Sequence, residues 1–163
     1  MPPPHLRFHD PHVIDEERRV ACFVHQAFRA ASADPATRAE AALGLVQDRI
    51  RYVALAMGTG GLVPADVATT WSRRFGDCKG KTVMLVAMLR ALGITADPVA
   101  VSTTLGDGLD ARLPRAGAFD HVLVRAVIAG KTYWLDGTRT GDTSLARLTV
   151  PAYRWGLPLL AEK

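Results

Sequence analysis

The sequence predicts an α+β fold in which N-terminal helices precede a buried helix that packs against an antiparallel sheet. Residues 82–92 are apolar on nearly all sides, as expected of a helix inside a core. Further along, segments rich in β-branched residues are separated by Ala129-Gly130-Lys131, a pattern typical of a hairpin. The long buried helix and the hairpin together favour helices and strands that are segregated along the chain.

Length and composition agree with one compact domain. The chain has 163 residues, of which 48% are hydrophobic and 22% charged, close to average globular usage. We expect residues 1–14 to form a flexible lead-in and residues 15–163 one domain, with core motifs at 52–138. The net charge is +4, but basic and acidic residues are interspersed, which disfavours a nucleic-acid partner. No apolar run approaches the ~20 residues of a membrane-spanning helix.

Four elements are predicted before the buried helix. Spacings of three and four between apolar residues indicate an amphipathic helix from Asp15 to about Ala33. A second helix is expected over Ala36–Arg51, with a short extended piece over Tyr52–Ala56. A glycine-rich loop follows, and then a short helix over Pro64–Phe75.

Cys78 is the first candidate for chemistry, because it lies at the start of the predicted buried helix. The unpaired N–H groups and the dipole of a helix favour a thiolate at that position. Lys79 and Lys81 add positive charge, and Gly76 permits a tight turn before the cysteine. Gly93 provides the left-handed residue that commonly ends such a helix.

His121 and Asp136 are the expected partners of this thiol. A strand is predicted over Ile94–Ser102, and His121 opens the next one. Asp136 closes the strand that returns after the turn near Ala129. In an antiparallel hairpin the start of one strand lies beside the end of its partner, so the two side chains should be neighbours. A cysteine nucleophile needs such a base and a group that orients it.

These motifs together resemble the transglutaminase-like core found in bacterial proteins. The resemblance covers roughly residues 52–138, through RRFGDCKGKTVMLVAMLRALGITADPVAV, FDHVLV and YWLDGT in that order. It implies a papain-like, transglutaminase-core fold with the nucleophile on the buried helix. It also implies that Cys78 is the nucleophile, His121 the general base and acid, and Asp136 the residue that orients the histidine.

The resemblance extends to the oxyanion site, with two departures elsewhere. One oxyanion donor is expected from the backbone N–H of Cys78, and Tyr52 and Trp71 are the candidates for a second. Gly80 stands where many relatives carry an acidic residue, which would alter a local ion pair. Gly137 stands where a proline is common, which would loosen the turn after Asp136. Asp77 and Asp120, which flank the nucleophile and base, are interpreted as structural.

The predicted activity is cysteine-dependent acyl transfer or hydrolysis of a carboxamide or peptide bond through a thioester. Water as acceptor makes a protease or amidase, and an amine makes a transglutaminase. The alternative is a non-catalytic module that retains the cleft to bind a protein or peptide. We expect a protein or peptide substrate, no cofactor and no metal. The resemblance further implies other domains of a longer parent protein, and a periplasmic or membrane-associated place if that parent is exported.

Overall fold

A computed structural model describes residues 33–54, 63–105, 108–113 and 115–160 of the chain. The predicted lead-in, the helix predicted over residues 15–33 and most of the glycine-rich loop lie outside these residues. The helices are α1 (Pro35–Arg49), α2 (Val67–Arg73) and α3 (Cys78–Ala91), with a 3₁₀ turn at Ala116–Ala118. The strands are β1 (Arg51–Tyr52), β2 (Phe75–Gly76), β3 (Thr95–Val101), β4 (His121–Ile128), β5 (Lys131–Leu135) and β6 (Leu157–Pro158).

The main sheet has four strands in the order β5-β4-β3-β6, and each neighbouring pair is antiparallel. The β4–β5 hairpin turns at Ala129 and Gly130, which both have positive φ, 49° and 79°. Such a two-residue turn matches the twist of the strands it joins. Strands β1 and β2 form a separate parallel pair immediately before α3.

Helix α3 is the central element of the larger hydrophobic core. Met84, Leu85 and Leu89 are fully buried, and the core also includes Val124 of β4 and Leu135 of β5. The helix ends at Gly93, whose φ of 77° is readily adopted without a Cβ. The predicted helix packed on an antiparallel sheet is thereby confirmed.

Helix α1 packs on α3 through Ala39, Ala42, Leu43 and Val46. Asp34 caps its first turn by accepting from the amide of Thr37 at 2.9 Å, and Pro35 occupies the position where a missing N–H costs nothing. Ile50 continues directly from this helix toward β1 and is fully buried. The helix therefore links the core to the strand pair that precedes Cys78.

Helix α2 is shorter than the predicted Pro64–Phe75 because both ends are fixed by specific residues. The side chain of Asp66 accepts from the amide of Thr69 at 2.6 Å, so Asp66 is the N-cap and the helix starts at Val67, three residues after the proline. Arg74 adopts a left-handed conformation with φ 57° and ends it. Within the described residues, no helix is long and apolar enough to cross a membrane.

The C-terminal segment covers the second face of the sheet. Val150 and Tyr153 pack against a smaller cluster of Val99, Val101 and Leu123. Leu157 and Pro158 then pair with β3. The tail thereby adds a strand at one edge of the sheet.

Candidate functional site

Cys78 is the first residue of α3, and its neighbours fix this position. Asp77 is the N-cap and accepts from the amide of Gly80 at 2.8 Å. Gly76 ends β2 and lies against Thr70, because a Cβ there would come within 3.1 Å of Thr70 Cγ2. The thiol is largely buried, with 9% exposure. The helix start therefore presents the sulfur at the edge of the core.

His121 opens β4 and reaches both Cys78 and Asp136. Its Nε2 lies 2.8 Å from Oδ2 of Asp136, and the Cys78 side chain is close enough to raise the pKa of the imidazole. Because Nε2 is engaged by the carboxylate, Nδ1 is the ring nitrogen that remains for another partner. In the hairpin register Val124 faces Leu135, so His121 and Asp136 are diagonal neighbours rather than directly opposite.

Every oxygen of the Asp136 side chain has a partner. Oδ1 accepts from the amide of Thr138 at 2.9 Å and from its hydroxyl at 2.7 Å, while Oδ2 faces His121. The main-chain carbonyl of Asp136 accepts from Gln47 Nε2 at 3.0 Å. The carboxylate is thus held from three sides in the orientation that meets the imidazole.

The charged forms of His121 and Asp136 stabilise each other. Burial lowers the pKa of His121, but the hydrogen bonds and negative charges of Asp136 and Cys78 outweigh burial and raise it to about 9. For Asp136, burial raises the pKa, whereas the hydrogen bond and charge of His121 and the Thr138 donors bring it below its usual value. An imidazolium beside a carboxylate is therefore the favoured state near neutral pH.

The flanking aspartates have structural partners. Asp77 caps α3 and forms an ion pair with Lys79. Asp120 accepts from the amide of Thr103 at 2.7 Å and from the hydroxyls of Thr103 and Thr104. These contacts agree with the structural interpretation, because each carboxylate organises a turn next to Cys78 or His121.

The two candidate oxyanion donors differ in their surroundings. Tyr52 is 44% exposed and pairs with Gly76 in the β1–β2 ladder. Burial raises its pKa, and so do the charges of Cys78, Asp77 and Asp136. Trp71 packs against the large core, and the guanidinium of Arg74 lies 3.7 Å from its ring centroid. Of the two residues, Tyr52 is the one paired with the strand that leads into Cys78.

The two glycine departures are both closely packed positions. A Cβ at Gly80 would lie 3.0 Å from Thr70 Oγ1, so the space there is filled by α2. The local ion pair is made instead by Lys79 and Asp77. A Cβ at Gly137 would lie 3.0 Å from Val46 Cγ1, and Thr138 bonds the preceding carboxylate. The turn after Asp136 is therefore in contact with α1 and with its own carboxylate.

Sequence reasoning missed several buried polar groups around the site. Gln47 donates to Asp142 Oδ2 at 2.8 Å as well as to the Asp136 carbonyl, and Thr138 was not singled out. Lys81 was interpreted only as a nearby charge, but its side chain is 1% exposed. A polar residue inside an otherwise apolar helical pattern is the signal that could have indicated Gln47 and Lys81.

No group of three or more His, Cys, Asp or Glu side chains suited to a metal ion occurs within the described ranges. The polar groups that surround Cys78 are instead engaged with one another.

Comparison with known proteins identifies the family. The model of the transglutaminase-like superfamily matches residues 23–136, so the chain belongs to this superfamily. No curated protein matches it.

Three solved structures share the fold. A putative protease from Parabacteroides distasonis superposes with a TM-score of 0.63 at 18% identity, over 77% of this chain and 25% of its own. A putative cysteine protease from Cytophaga hutchinsonii gives 0.55 at 16% identity, over 80% and 43%. A structure described as a TGase gives 0.56 at 16% identity, over 83% and 34%. The chain thus spans less than half the length of each of these structures.

Proposed function

We propose that this domain catalyses acyl transfer or hydrolysis at a carboxamide or peptide bond, with Cys78, His121 and Asp136 as its catalytic triad. The observation that carries the proposal is the arrangement of three groups: Cys78 at the helix start acts on the pKa of the His121 imidazole, and Nε2 of that imidazole lies 2.8 Å from the Asp136 carboxylate. The superfamily membership and the named proteases and TGase among similar structures point the same way.

The reaction begins when the Cys78 sulfur attacks the carbonyl carbon and the carbonyl π electrons move to its oxygen. As the tetrahedral intermediate collapses, the C–N bond breaks and the His121 imidazolium gives its proton to the departing amine. A thioester remains on Cys78. Water or an amine then attacks this thioester while His121 accepts its proton, and the Cys78 sulfur leaves. Asp136 keeps the ring oriented and stabilises its charged form.

The negative oxygen of the intermediate needs donors that are already in place. The backbone N–H of Cys78 at the start of α3 is the first donor we assign, because helix-start amides are unpaired. The Tyr52 hydroxyl is the second, since Tyr52 flanks Gly76 and is electrostatically coupled to Cys78. Trp71 is less suited because it belongs to the core and to the contact with Arg74.

Thiol reactivity tests the proposal without knowledge of the substrate. The chain contains two cysteines, Cys22 and Cys78, so Cys22 serves as the internal control. We expect iodoacetamide at pH 6 to alkylate Cys78 at least ~10-fold faster than Cys22, because His121 favours the thiolate. Peptide mass spectrometry measures both rates, and His121→Ala should remove the difference. Equal and slow labelling of the two cysteines would favour the binding module and contradict the enzyme.

Two generic assays then distinguish water from an amine as the acceptor of the acyl group. Casein cleavage reports hydrolysis, and incorporation of a fluorescent primary amine into casein reports transamidation. In whichever assay the wild-type chain is active, Cys78→Ala should abolish turnover. Tyr52→Phe should lower kcat by about 10- to 100-fold, in line with loss of an oxyanion donor. Turnover that persists in Cys78→Ala would refute the mechanism, and an unchanged kcat in Tyr52→Phe would remove Tyr52 from it.

A further inference from the structure

Lys81 is a buried cation that the proposed reaction does not use. Of the lysines and arginines in the described part of the chain, it alone is buried. Its ammonium donates to the main-chain carbonyl of Ile50, at the end of α1. Burying an ammonium costs several kcal/mol in free energy, and a methionine could fill the same volume. A buried lysine at this position is therefore expected to stabilise a negatively charged group nearby.

The alkyl chain of Lys81 lies between the two backbone segments that carry the nucleophile and the carboxylate. A Cβ placed on Gly76 would be 3.6 Å from Lys81 Cγ, and one placed on Gly137 would be 3.6 Å from Lys81 Cβ. Gly76 precedes Cys78 by two residues, and Gly137 directly follows Asp136. One side chain thus separates the two segments and also ties them to α1.

The charge of Lys81 balances that of the reactive site. A thiolate at Cys78, an imidazolium at His121 and a carboxylate at Asp136 together carry one net negative charge, in a region that water scarcely reaches. The negative charges that act on the ammonium are those of Asp136 and of Asp48 on α1. Burial lowers the pKa of Lys81 to about 8, and the same two carboxylates oppose that change. The side chain therefore remains mostly charged at neutral pH.

We propose that Lys81 is a positioning residue whose buried charge offsets the net negative charge of the ion-pair form of the triad and whose alkyl chain sets the separation of Gly76 and Gly137. The proposal rests on the function proposed above. Lys79 is not equivalent, although it lies nearer to Cys78 in sequence. Its ammonium is partly exposed and is already paired with Asp77, so it has little charge left to offer the triad.

The test is the pH profile of Cys78 alkylation by iodoacetamide in wild type, Lys81→Met and Lys79→Met. Methionine keeps the length of the alkyl chain and removes the charge. We expect Lys81→Met to move the midpoint of the profile upward by about one pH unit, as loss of a nearby buried cation implies. The matched Lys79→Met variant should shift it by less than half as much. A purely structural strut would leave the midpoint unchanged.

The outcomes separate this proposal from the proposed function. A wild-type Cys78 that reacts like an ordinary thiol at every pH would refute the proposed function. A reactive wild type whose profile coincides with that of Lys81→Met, or shifts equally in both lysine variants, would overturn the role of Lys81 alone.

A second measurement covers the case in which Lys81→Met does not fold. Coupling between two ionisable groups is reciprocal, so Asp136→Asn must lower the titration midpoint of Lys81. Nuclear magnetic resonance of ¹³C-labelled lysine follows Lys81 and Lys79 in the same sample. We expect the midpoint of Lys81 to fall by about half a pH unit or more while that of Lys79 hardly moves. An unchanged Lys81 midpoint would overturn the proposal.

Discussion

The ion pair of His121 and Asp136 makes the contribution of each residue to the stability of the fold depend on pH. The folded-state pKa of His121 is raised to about 9, whereas an unfolded histidine has its ordinary value of about 6.5. The stabilisation is therefore complete below about pH 6.5 and is lost as the pH rises through about 9. Asp136 acts in the opposite sense, because its lowered pKa contributes stability that is lost as the pH falls into the acid range.

We predict that the free energy of unfolding of wild type exceeds that of His121→Gln most strongly near pH 6, and that the difference shrinks toward pH 10. Urea unfolding of both proteins at pH 6, 8 and 10 measures it. Lys81 titrates in the same range with the opposite sign, since its lowered pKa makes the folded state gain stability with rising pH. That contribution is common to both proteins and largely cancels in the difference. A difference that grows with pH would contradict the raised pKa.

At the residue scale, the sequence predicted what depends on local backbone position. The position of Cys78 could be predicted because a helix start is recognisable from Asp77 and the apolar run after it. The proximity of His121 and Asp136 could be predicted because the turn between their strands is short. Gln47 was not, since its partner Asp142 lies 95 positions away. In a sequence, a buried glutamine cannot be distinguished from an exposed one when its hydrogen-bond partner is far away along the chain.

At the scale of elements, side chains that bind main-chain carbonyls connect the parts that carry the site. Gln47 on α1 donates to the carbonyl of Asp136. Thr82 on α3 donates to the carbonyl of Val122, next to His121, at 3.0 Å. Lys81 on α3 donates to the carbonyl of Ile50. These contacts fix the helix that begins at Cys78, the strand that begins at His121 and the turn after Asp136 relative to one another.

The pair of Gln47 and Asp142 should show strong energetic coupling. Asp142 is 2% exposed and accepts from Gln47 and from the amide of Thr149. We predict that Gln47→Leu costs about 2–4 kcal/mol in free energy of unfolding, because it leaves a buried carboxylate short of a donor. Urea unfolding of both single variants and of Gln47→Leu/Asp142→Leu gives the coupling energy. It should exceed about 1 kcal/mol, and strictly additive costs would contradict the network.

The end of a helix was predictable where a glycine marks it, and less so where another residue fixes it. Gly93 marked the end of α3 correctly. The predicted α2 was too long at both ends, because Asp66 is the N-cap and Arg74 stops the helix in a conformation usual for glycine. Strand β6 has only two residues, and its pairing depends on β3, which no local pattern in the tail specifies.

At the scale of the whole molecule, two cores lie on opposite faces of one sheet. The larger lies between the sheet and the helices, and the smaller lies under the C-terminal segment. Tyr153 of that segment packs on the cluster that contains Val101, which pairs with His121 across the sheet. Burial raises the pKa of Tyr153, and so does the charge of Asp136. The packing of the tail should therefore affect both the stability of the domain and the surroundings of His121.

Glycine substitutions on the two sides of the sheet test this packing. A Cβ at Gly156 would lie 2.8 Å from Val99 Cγ1 and 3.2 Å from Val101 Cγ1, so we predict that Gly156→Ala destabilises the domain by about 1–3 kcal/mol. A Cβ at Gly44, inside α1, would have no neighbour within 4 Å, and Gly44→Ala should stabilise by about 0.5–1 kcal/mol through helix propensity. Thermal unfolding of both variants measures whether each substitution destabilises or stabilises the domain. Because the sites share no partner, the double variant should equal their sum within about 0.5 kcal/mol. A Gly156→Ala protein as stable as wild type would mean that the tail does not pack on β3 in solution.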